Sequence, residues 1–318
     1  MAEFFLPDPD AVPDCIIIGC GGAGTRIVDQ VHLARKLPFR TIAVETDAQV
    51  LDTVRADMHA LLGENRIKGW GEGDPGESAQ ALIDASAKIE STIRLGDLVF
   101  LIAGLGGGAG SGAAPEIARL ALEKGALVIA VVTLPFRVQE RTIKKAMDGL
   151  KGLLRYADTV VVFDNECYRS RFCNCNVRTI YSNVNGMIAG LVLGIIRSLT
   201  VPCLINAGYE DVRTVFKKKG LALVLAGESG EEAENVNESV VRKCLNSPSF
   251  DRDYRSATGC FVLIQGGNNL DLNDAEEIAT SLTFEIDPHA DVVWSEMIDN
   301  SREGRVRVCA VMTGIDPG

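Results

Sequence analysis

The sequence is poor in aromatic residues, in histidine and in positive charge. Aromatic side chains make up 6% of 318 residues, and there are three histidines. Asp and Glu outnumber Lys and Arg by 43 to 32, for a formal net charge of −11. This balance argues against a nucleic-acid-binding protein or a protein that binds acidic membrane surfaces.

Long apolar runs and targeting segments are also lacking. No uninterrupted apolar run reaches the roughly 18 residues that a membrane-spanning helix needs. No N-terminal segment combines a basic start with an apolar stretch and a cleavage site. We therefore expect a cytoplasmic protein that does not insert into a membrane.

The nine cysteines are an odd number and do not predict a disulfide framework. Cys15 and Cys309 lie inside apolar runs, where cysteine behaves as a small core residue. Cys167, Cys173 and Cys175 lie close together but have no evident fourth ligand, so we expect a reduced loop and no metal site there. The cysteines are thus typical of a reducing compartment.

Apolar strands alternate with helical stretches along the chain, which predicts an α/β fold with a Rossmann-like parallel sheet covered on both faces. The strands of the first half read CIIIG, TIAVETD, LVFLIAG, ALVIAVVTLP and TVVVFDN. We expect an irregular arm over 1–13, a first α/β domain over 14–176, a long helix over 177–200 and a second, smaller α/β domain over 201–318. The long helix is predicted from apolar residues at helical spacing.

A first glycine loop, GCGGAG at 19–24, directly follows a strand and begins a helix. Its spacing is G-x-G-x-x-G, and Glu45 lies about twenty residues further on, as in dinucleotide-binding folds. This loop alone favours an NAD-dependent oxidoreductase. The anion would lie at the free N–H groups of the helix start. The predicted contacts are Gly21, Gly22, Ala23, Gly24, Thr25 and Arg26. Two binding partners stay open for Arg26, a phosphate group of the ligand or a carboxylate such as that of Glu45.

A second glycine loop, GLGGGAGSG at 104–112, follows the strand LVFLIA and begins another helix. A dinucleotide fold needs one such loop, whereas two loops can hold one polyphosphate through their backbone amides. Neither loop has the Lys of the G-x-x-x-x-G-K-[ST] motif, so that NTPase class is not expected. The competing interpretation is close helix–strand packing. The predicted contacts are Gly106, Gly107, Gly108, Ala109, Gly110, Ser111 and Gly112.

Five segments in this order resemble the FtsZ branch of the tubulin/FtsZ family, in an archaeal-type form. They are GCGGAG, ETDAQ at 45–49, GGGAGSGAAP at 106–115, VVTLPF at 131–136 and DVRTV at 211–215. The resemblance extends from Cys15 to Gly314. It implies a GTP-binding domain, a long central helix and a C-terminal domain, with GTP or GDP and Mg²⁺ as ligands. It also implies head-to-tail protofilaments in which each subunit completes its neighbour's GTPase site, a role in cell division or shape, and a membrane-anchoring or regulatory partner.

Tyr181 and Asn185 on the long helix lie one turn apart and share a face. A Tyr ring can stack on a purine, and an Asn amide offers a donor and an acceptor to the guanine edge. Proteins of the FtsZ type usually carry Phe and Asp at the similar positions. By the same resemblance, Asn165 and Thr133 approach the ribose or base. The resemblance also assigns Glu140 and Arg141 to a Glu–Arg pair of the family, although the segment between Thr133 and this pair is one residue shorter here.

The loop after the long helix, INAGYEDV at 205–212, departs from the family pattern N-x-D-x-x-D. Asn206 and Asp211 match it, but Gly208 replaces the first acid. Asp211 can still orient a water on a γ-phosphate, so it is the predicted catalytic residue. The loss of the first acid predicts a slow GTPase, or a structural or regulatory filament that does not hydrolyse GTP. The acidic stretch GEGDPGES at 71–78 corresponds to a γ-phosphate-sensing loop, and either needs a cation or is a solvated turn.

Overall fold

The computed structural model describes residues 12–34, 36–63, 86–138, 140–171, 175–201, 203, 205, 207–230, 235–268, 270–299 and 304–317. The chain divides into two compact units. One comprises Pro13–Leu193, and the other includes Gly194–Gly318.

The first unit contains a parallel sheet of six strands in the order β3-β2-β1-β4-β5-β6. The strands are β1 (Cys15–Cys20), β2 (Arg40–Glu45), β3 (Met58–Leu61), β4 (Leu98–Gly104), β5 (Leu127–Leu134) and β6 (Thr159–Asp164). Every residue of β1, β5 and β6 is buried. Strands covered on both faces read as continuous apolar runs, which is why the sequence predicts these three. It did not predict the short β3, whose sequence is MHAL.

The helices of this unit include α1 (Gly21–Leu33), α2 (Ala48–Thr53), α3 (Ala114–Glu123), α4 (Glu140–Tyr156) and α5 (Asn165–Arg171). Pro115 lies in the first turn of α3, and Gly125 follows the end of this helix at φ +79°. Helix α1 begins at Gly21, so the end of the first glycine loop forms the first turn of the helix. A π-helical turn, Ala109–Ala113, leads directly into α3.

Helix α6 (Val177–Thr200) begins in the first unit and ends in the second. Its predicted apolar stripe is buried except for the half-buried Met187. The buried members of the stripe are Ile180, Val184, Ile188, Leu191, Ile195 and Leu199. By length and composition alone α6 could cross a membrane, and 50% of its most apolar window is buried. One such helix is weak evidence, because the core helix of a globular protein passes the same test.

The second unit contains four strands, β7 (Leu221–Glu228), β8 (Gly259–Gly266), β9 (Asp291–Ile298) and β10 (Val306–Ile315). Their order is β7-β10-β8-β9, with β10 antiparallel to both neighbours and β8 parallel to β9. The helices α7 (Tyr209–Phe216), α8 (Val236–Leu245) and α9 (Leu272–Thr283) accompany them. Phe216 of α7 packs on Phe261 of β8, with ring centroids 5.8 Å apart. The predicted α/β class is confirmed in both units.

Two helices of the second unit begin at polar caps. Helix α8 begins at Val236, because the Asn235 side chain accepts a hydrogen bond from the Glu238 N–H and caps it there. Residues 231–234 lie outside the described part of the chain. Helix α9 was not predicted, although Asp271 and Asp274 form a reciprocal capping box at its start.

Candidate nucleotide-binding site

The carboxyl ends of four neighbouring strands form one edge of the first unit's sheet. Strands β1, β4, β5 and β6 lie side by side and run parallel, so Cys20, Gly104, Leu134 and Asp164 end at the same edge. In register, Gly104 lies opposite Thr133. Open α/β sheets bind their ligands outside this edge, and the predicted phosphate and sugar contacts lie at or just after these strand ends.

The two glycine loops touch each other. The Cys20 thiol donates a hydrogen bond to the Ala109 carbonyl over 3.2 Å. Burial, with a smaller effect from Glu45, raises the pKa of that thiol far above its usual range, so it stays a neutral donor. A Cβ atom added to Gly21, whose φ is +74°, would lie 3.1 Å from the Gly110 nitrogen. The structure therefore brings the two loops together.

The glycines of the loops fall into two classes. A Cβ on Gly24 would lie 2.3 Å from the Ile102 carbonyl oxygen, and a Cβ on Gly110 would lie 2.1 Å from the Gly104 carbonyl oxygen. Close packing alone therefore requires these two glycines. Gly22 is different, because the nearest atom to its Cβ position is a Glu45 carboxylate oxygen at 3.8 Å. Gly107 has open space around its Cβ position, and both residues are exposed. Packing within the described structure does not account for either of them.

Hydrogen bonds of Ser111 fix the conformation of the second glycine loop. The Ser111 hydroxyl oxygen accepts a hydrogen bond from the Gly106 N–H over 2.8 Å, and the Ser111 N–H donates to the Gly107 carbonyl over 3.2 Å. Ser111 is buried, and Gly106 has a φ of +106°, a conformation that favours glycine. Gly108, Ala109, Gly110 and Gly112 continue buried into the π-helical turn. The Ser111 side chain thus shapes the loop.

The N-terminus of α1 is open to an anion. Its N-cap residue, Cys20, provides no side-chain cap, and its first turn contains no acidic residue. The first N–H groups of a helix have no intrahelical acceptor, so they can bind a negative group. Thr25 is buried, and its hydroxyl donates to the Gly22 carbonyl over 3.4 Å. Ala23 is half-buried at the same turn.

Arg26 and Glu45 do not pair with each other in the described chain. Arg26 is exposed, whereas Glu45 is buried. One Glu45 carboxylate oxygen accepts hydrogen bonds from the N–H and the hydroxyl of Thr46, at 2.8 and 3.1 Å. Of the two roles left open for Arg26, pairing with Glu45 is therefore not seen here.

A buried amide lies at the end of β6. Asn165 is 3% exposed, and its Oδ1 atom has no hydrogen-bond partner in the described structure. Buried polar atoms are nearly always paired, so this oxygen is a place for a donor from a ligand. The preceding Asp164 accepts hydrogen bonds from the Glu166 N–H and the Arg137 guanidinium, at 2.9 and 3.4 Å. Thr133 is buried at the adjacent strand end.

Tyr181 offers an exposed ring. It is 43% exposed and packs edge-on against Phe136, with centroids 5.5 Å apart and an interplanar angle of 62°. Phe136 follows β5, so this contact joins the start of α6 to the edge that carries Thr133. Asn185 lies one turn further along α6 and is half-buried. The sequence analysis did not select Phe136, although the aromatic residue in VVTLPF could have identified it.

The remaining predicted residues lie at the starts of other helices or outside the described residues. Glu140 is exposed as the first residue of α4. Asp211 belongs to the second unit, where its carboxylate accepts a hydrogen bond from the Gly208 N–H over 3.0 Å at the start of α7. Asn206, Cys173 and the acidic stretch 71–78 lie outside the described residues. Across the described residues, no group of three or more His, Cys, Asp or Glu is arranged to hold a metal ion.

Two family profiles match the chain. The profile described as "Tubulin/FtsZ family, GTPase domain" covers residues 14–170, and the one described as "FtsZ family, C-terminal domain" covers 220–316. "Cell division protein FtsZ 2" of Halobacterium salinarum is 38% identical over 304 residues, covering 95% of this chain and 77% of that protein. The protein of the same name from Methanocaldococcus jannaschii is 36% identical over 314 residues, covering 98% and 82%.

Solved structures show the same fold. The chain is similar to "FtsZ dimer, empty (M. jannaschii)" with a TM-score of 0.90 and 33% identity, covering 96% of this chain and 89% of that one. A GTPγS-bound CetZ2 protofilament from Haloferax volcanii matches with a TM-score of 0.79 and 22% identity, covering 96% and 94%. At that identity the second likeness concerns the fold alone.

Proposed function

The chain belongs to the tubulin/FtsZ family, and from this we propose that it hydrolyses GTP slowly within a head-to-tail polymer of its own subunits. It is a GTPase of the cytoskeletal filament type. We assign it to cell division or cell shape in the cytoplasm, with a membrane-anchoring or regulatory protein as a further partner.

One observation carries the phosphate assignment: two glycine loops lie in contact, and each keeps an exposed glycine that packing does not require. We assign the polyphosphate to the N–H groups at the start of α1 and to the loop at Gly107 and Gly108. An anion there gains hydrogen bonds and the favourable end of the helix dipole, without a lysine. Thr25, Ser111 and the packed glycines hold the two loops in shape.

The base and ribose are assigned to the neighbouring strand ends. The unpartnered Oδ1 of Asn165 accepts a hydrogen bond from the nucleoside, and Thr133 lies on the next strand toward the glycine loops. The exposed ring of Tyr181 stacks on the purine, and its contact with Phe136 holds the ring in place. Asn185, on the same helical face, reads the guanine edge.

Mg²⁺ accompanies the nucleotide in this proposal. Mg²⁺ prefers oxygen ligands and commonly takes them from substrate phosphates, waters and one or two carboxylates. A carboxylate is available, because Glu45 is buried with one oxygen 3.8 Å from the Cβ position of Gly22. When bound, the ion neutralises charge that develops on the phosphates during hydrolysis.

The carboxylate for hydrolysis is Asp211, acting on the nucleotide of the adjoining subunit. Asp211 is exposed, and its bond to the Gly208 N–H holds the carboxylate in one orientation. A positioned carboxylate can orient the attacking water and accept its proton. Gly208 supplies no second acid, so the water is held by one group and turnover is slow.

The decisive experiment separates the chemical role of Asp211 from its capping role. Asp211→Asn keeps an oxygen that can accept from the Gly208 N–H but removes the carboxylate, whereas Asp211→Ala removes both. We expect both variants to lose most of the phosphate release measured at rising protein concentration. GTP affinity of the dilute subunit should stay unchanged in both. If Asp211→Asn retains full turnover while Asp211→Ala loses it, the residue acts as a cap and the shared-site mechanism is wrong.

The second candidate is a filament that binds GTP without hydrolysing it. The observation that favours it is Gly208, since one carboxylate replaces the pair. Light scattering of assembly, with phosphate release in the same sample, distinguishes the two. Assembly that persists with no phosphate released would establish this second candidate. The oxidoreductase alternative is not favoured, because the GTPase-domain profile covers both glycine loops.

A further inference from the structure

Arg137 lies at the centre of a short turn that follows β5. The Val138 N–H donates to the Phe136 carbonyl over 2.8 Å, which closes a three-residue turn around Arg137. At one end of this turn Phe136 contacts the Tyr181 ring, and at the other end Val138 is exposed. The turn therefore carries the aromatic residue that supports Tyr181.

Two hydrogen bonds join Arg137 to the junction of β6 and α5. Its backbone N–H donates to a Glu166 carboxylate oxygen over 3.3 Å, and its guanidinium donates to an Asp164 carboxylate oxygen over 3.4 Å. The Glu166 N–H donates to the other Asp164 oxygen over 2.9 Å. These two acids flank Asn165 in the chain. One arginine thus joins the turn that carries Phe136 to both neighbours of Asn165.

The surroundings of the two acids give these bonds weight. The Asp164 side chain is 5% exposed and forms an ion pair with Arg137, whose own side chain is 64% exposed. Water weakens the arginine side of this pair, but a buried carboxylate that loses its cation is costly. At Glu166 burial acts to raise the pKa, whereas the Arg137 N–H and the Arg169 guanidinium outweigh it and lower the pKa. Glu166 therefore stays a charged acceptor for Arg137.

We propose that Arg137 is a positioning residue that clamps the Phe136 turn to the β6–α5 junction. Phe136 meets the Tyr181 ring edge-on at 5.5 Å, so a shift of the turn removes the support of this ring. Asn165 follows β6, a strand that is buried along its whole length. The clamp thus fixes the Tyr181 ring relative to Asn165. Its effect on GTP binding rests on the proposed function, which assigns these two residues to the nucleoside, whereas the clamp itself belongs to the nucleotide-free chain.

The first test follows the two rings in the nucleotide-free chain. The NMR cross-relaxation (NOE) between the Phe136 and Tyr181 rings reports their distance. We expect it to weaken several-fold in Arg137→Gln, which keeps the backbone N–H but removes the charge, and in Asp164→Asn. Arg137→Lys should keep it, because an ammonium group can still pair with Asp164. The matched control is Arg155→Gln, which removes an exposed arginine of α4 without an ion pair in the described chain and should leave the NOE unchanged.

The second test compares GTP with inorganic tripolyphosphate, which lacks the nucleoside. Arg137→Gln should weaken GTP binding about fivefold, the lower end of what a stacking contact contributes, because the ring is displaced and not removed. Tripolyphosphate binding should be unchanged, since the hydrogen bonds that shape the second glycine loop come from Ser111 and not from the turn. In a Tyr181→Ala background, Arg137→Gln should have little further effect on GTP, because both residues act through one contact.

The clamp is overturned if the ring NOE is as strong in Arg137→Gln as in the wild type. Equal losses for GTP and tripolyphosphate would also overturn it, because they would mean a general loosening of the first unit. Normal GTP binding by Arg137→Gln, where Tyr181→Ala binds weakly, would have the same consequence. The proposed function fails in a different way. If Tyr181→Ala binds GTP as the wild type does while Arg137→Gln still weakens the NOE, the assignment of the base to Tyr181 is refuted and the clamp is supported.

Discussion

Two alanine substitutions in the same helical turn should have opposite effects. Gly24→Ala places a methyl group 2.3 Å from the Ile102 carbonyl oxygen and 3.0 Å from the Gly19 carbonyl carbon, and both are backbone atoms that cannot rotate away. Gly22→Ala places it 3.8 Å from the nearest atom, an ordinary van der Waals distance. Both residues lie in α1, so the difference between the variants isolates packing from helix propensity.

The magnitudes follow from these contacts. Overpacking a core costs about 1–3 kcal/mol, and the gain from Gly to Ala inside a helix is about 1 kcal/mol or less. Gly24→Ala should therefore lose about 1–2 kcal/mol of unfolding free energy, and Gly22→Ala should gain up to about 1 kcal/mol. An unfolding entropy of about 2.1 cal/mol/K per residue over 318 residues makes each kcal/mol worth roughly 1.5 °C in Tm.

Thermal unfolding of nucleotide-free protein, followed by GTP titration, measures both effects. Nucleotide must be removed first, because bound ligand raises Tm by itself. The methyl group of Gly22→Ala enters the space that we assign to phosphate, so this variant should bind GTP at least about tenfold more weakly, a loss of about 1.4 kcal/mol. The reasoning fails if Gly22→Ala binds GTP normally, or if Gly24→Ala is as stable as the wild type.

Three further predictions concern the base, the catalytic loop and pH. Tyr181→Ala should weaken GTP binding by about 1–3 kcal/mol in calorimetry, whereas Tyr181→Phe should bind GTP as the wild type does. Asn185→Leu should weaken the binding of GTP more than that of ITP, which lacks the exocyclic amine. Equal losses for GTP and ITP would show that Asn185 does not contact the guanine edge. Gly208→Asp should raise GTP turnover if the missing acid limits it, although the new Cβ would lie 3.1 Å from an Asp211 carboxylate oxygen. A Gly208→Asp protein that folds and assembles but hydrolyses GTP no faster would show that the missing acid is not the limiting change. Because burial on folding raises the pKa of Glu296 to about 7, the stabilising effect of this residue is full below pH 4.5 and is lost as pH rises through 7. Urea unfolding of the wild type should therefore show a loss of about 3 kcal/mol of unfolding free energy over this pH range, relative to Glu296→Gln. The same pH dependence of unfolding free energy in both proteins would contradict this prediction.

Local sequence determined the parts of this protein that depend on neighbours in the chain. The continuous apolar runs of β1, β5 and β6 predict buried parallel strands, because a strand covered on both faces has no polar side. The two glycine loops are identified by spacing within a few residues, and the length of α6 follows from its apolar stripe. The family resemblance rests on the same short segments, and the profiles confirm it.

Tertiary structure decided which residues share an environment. The sequence shows many glycines in two loops, but only the contact of Gly110 with Gly104, and the open space at Gly107, separates packing from binding. The contact of Phe136 with Tyr181 joins residues 45 positions apart, and no local pattern encodes it.

The same holds for the buried acid of β9. In the sequence Glu296 is one polar residue in DVVWSEMI, indistinguishable from a solvated position of an edge strand. Burial and the absence of a partner in the described structure make it unusual, and both depend on residues that are far away in the chain. A side chain's charge state depends on the dielectric and the charges around it, and these are set by segments far away in the chain.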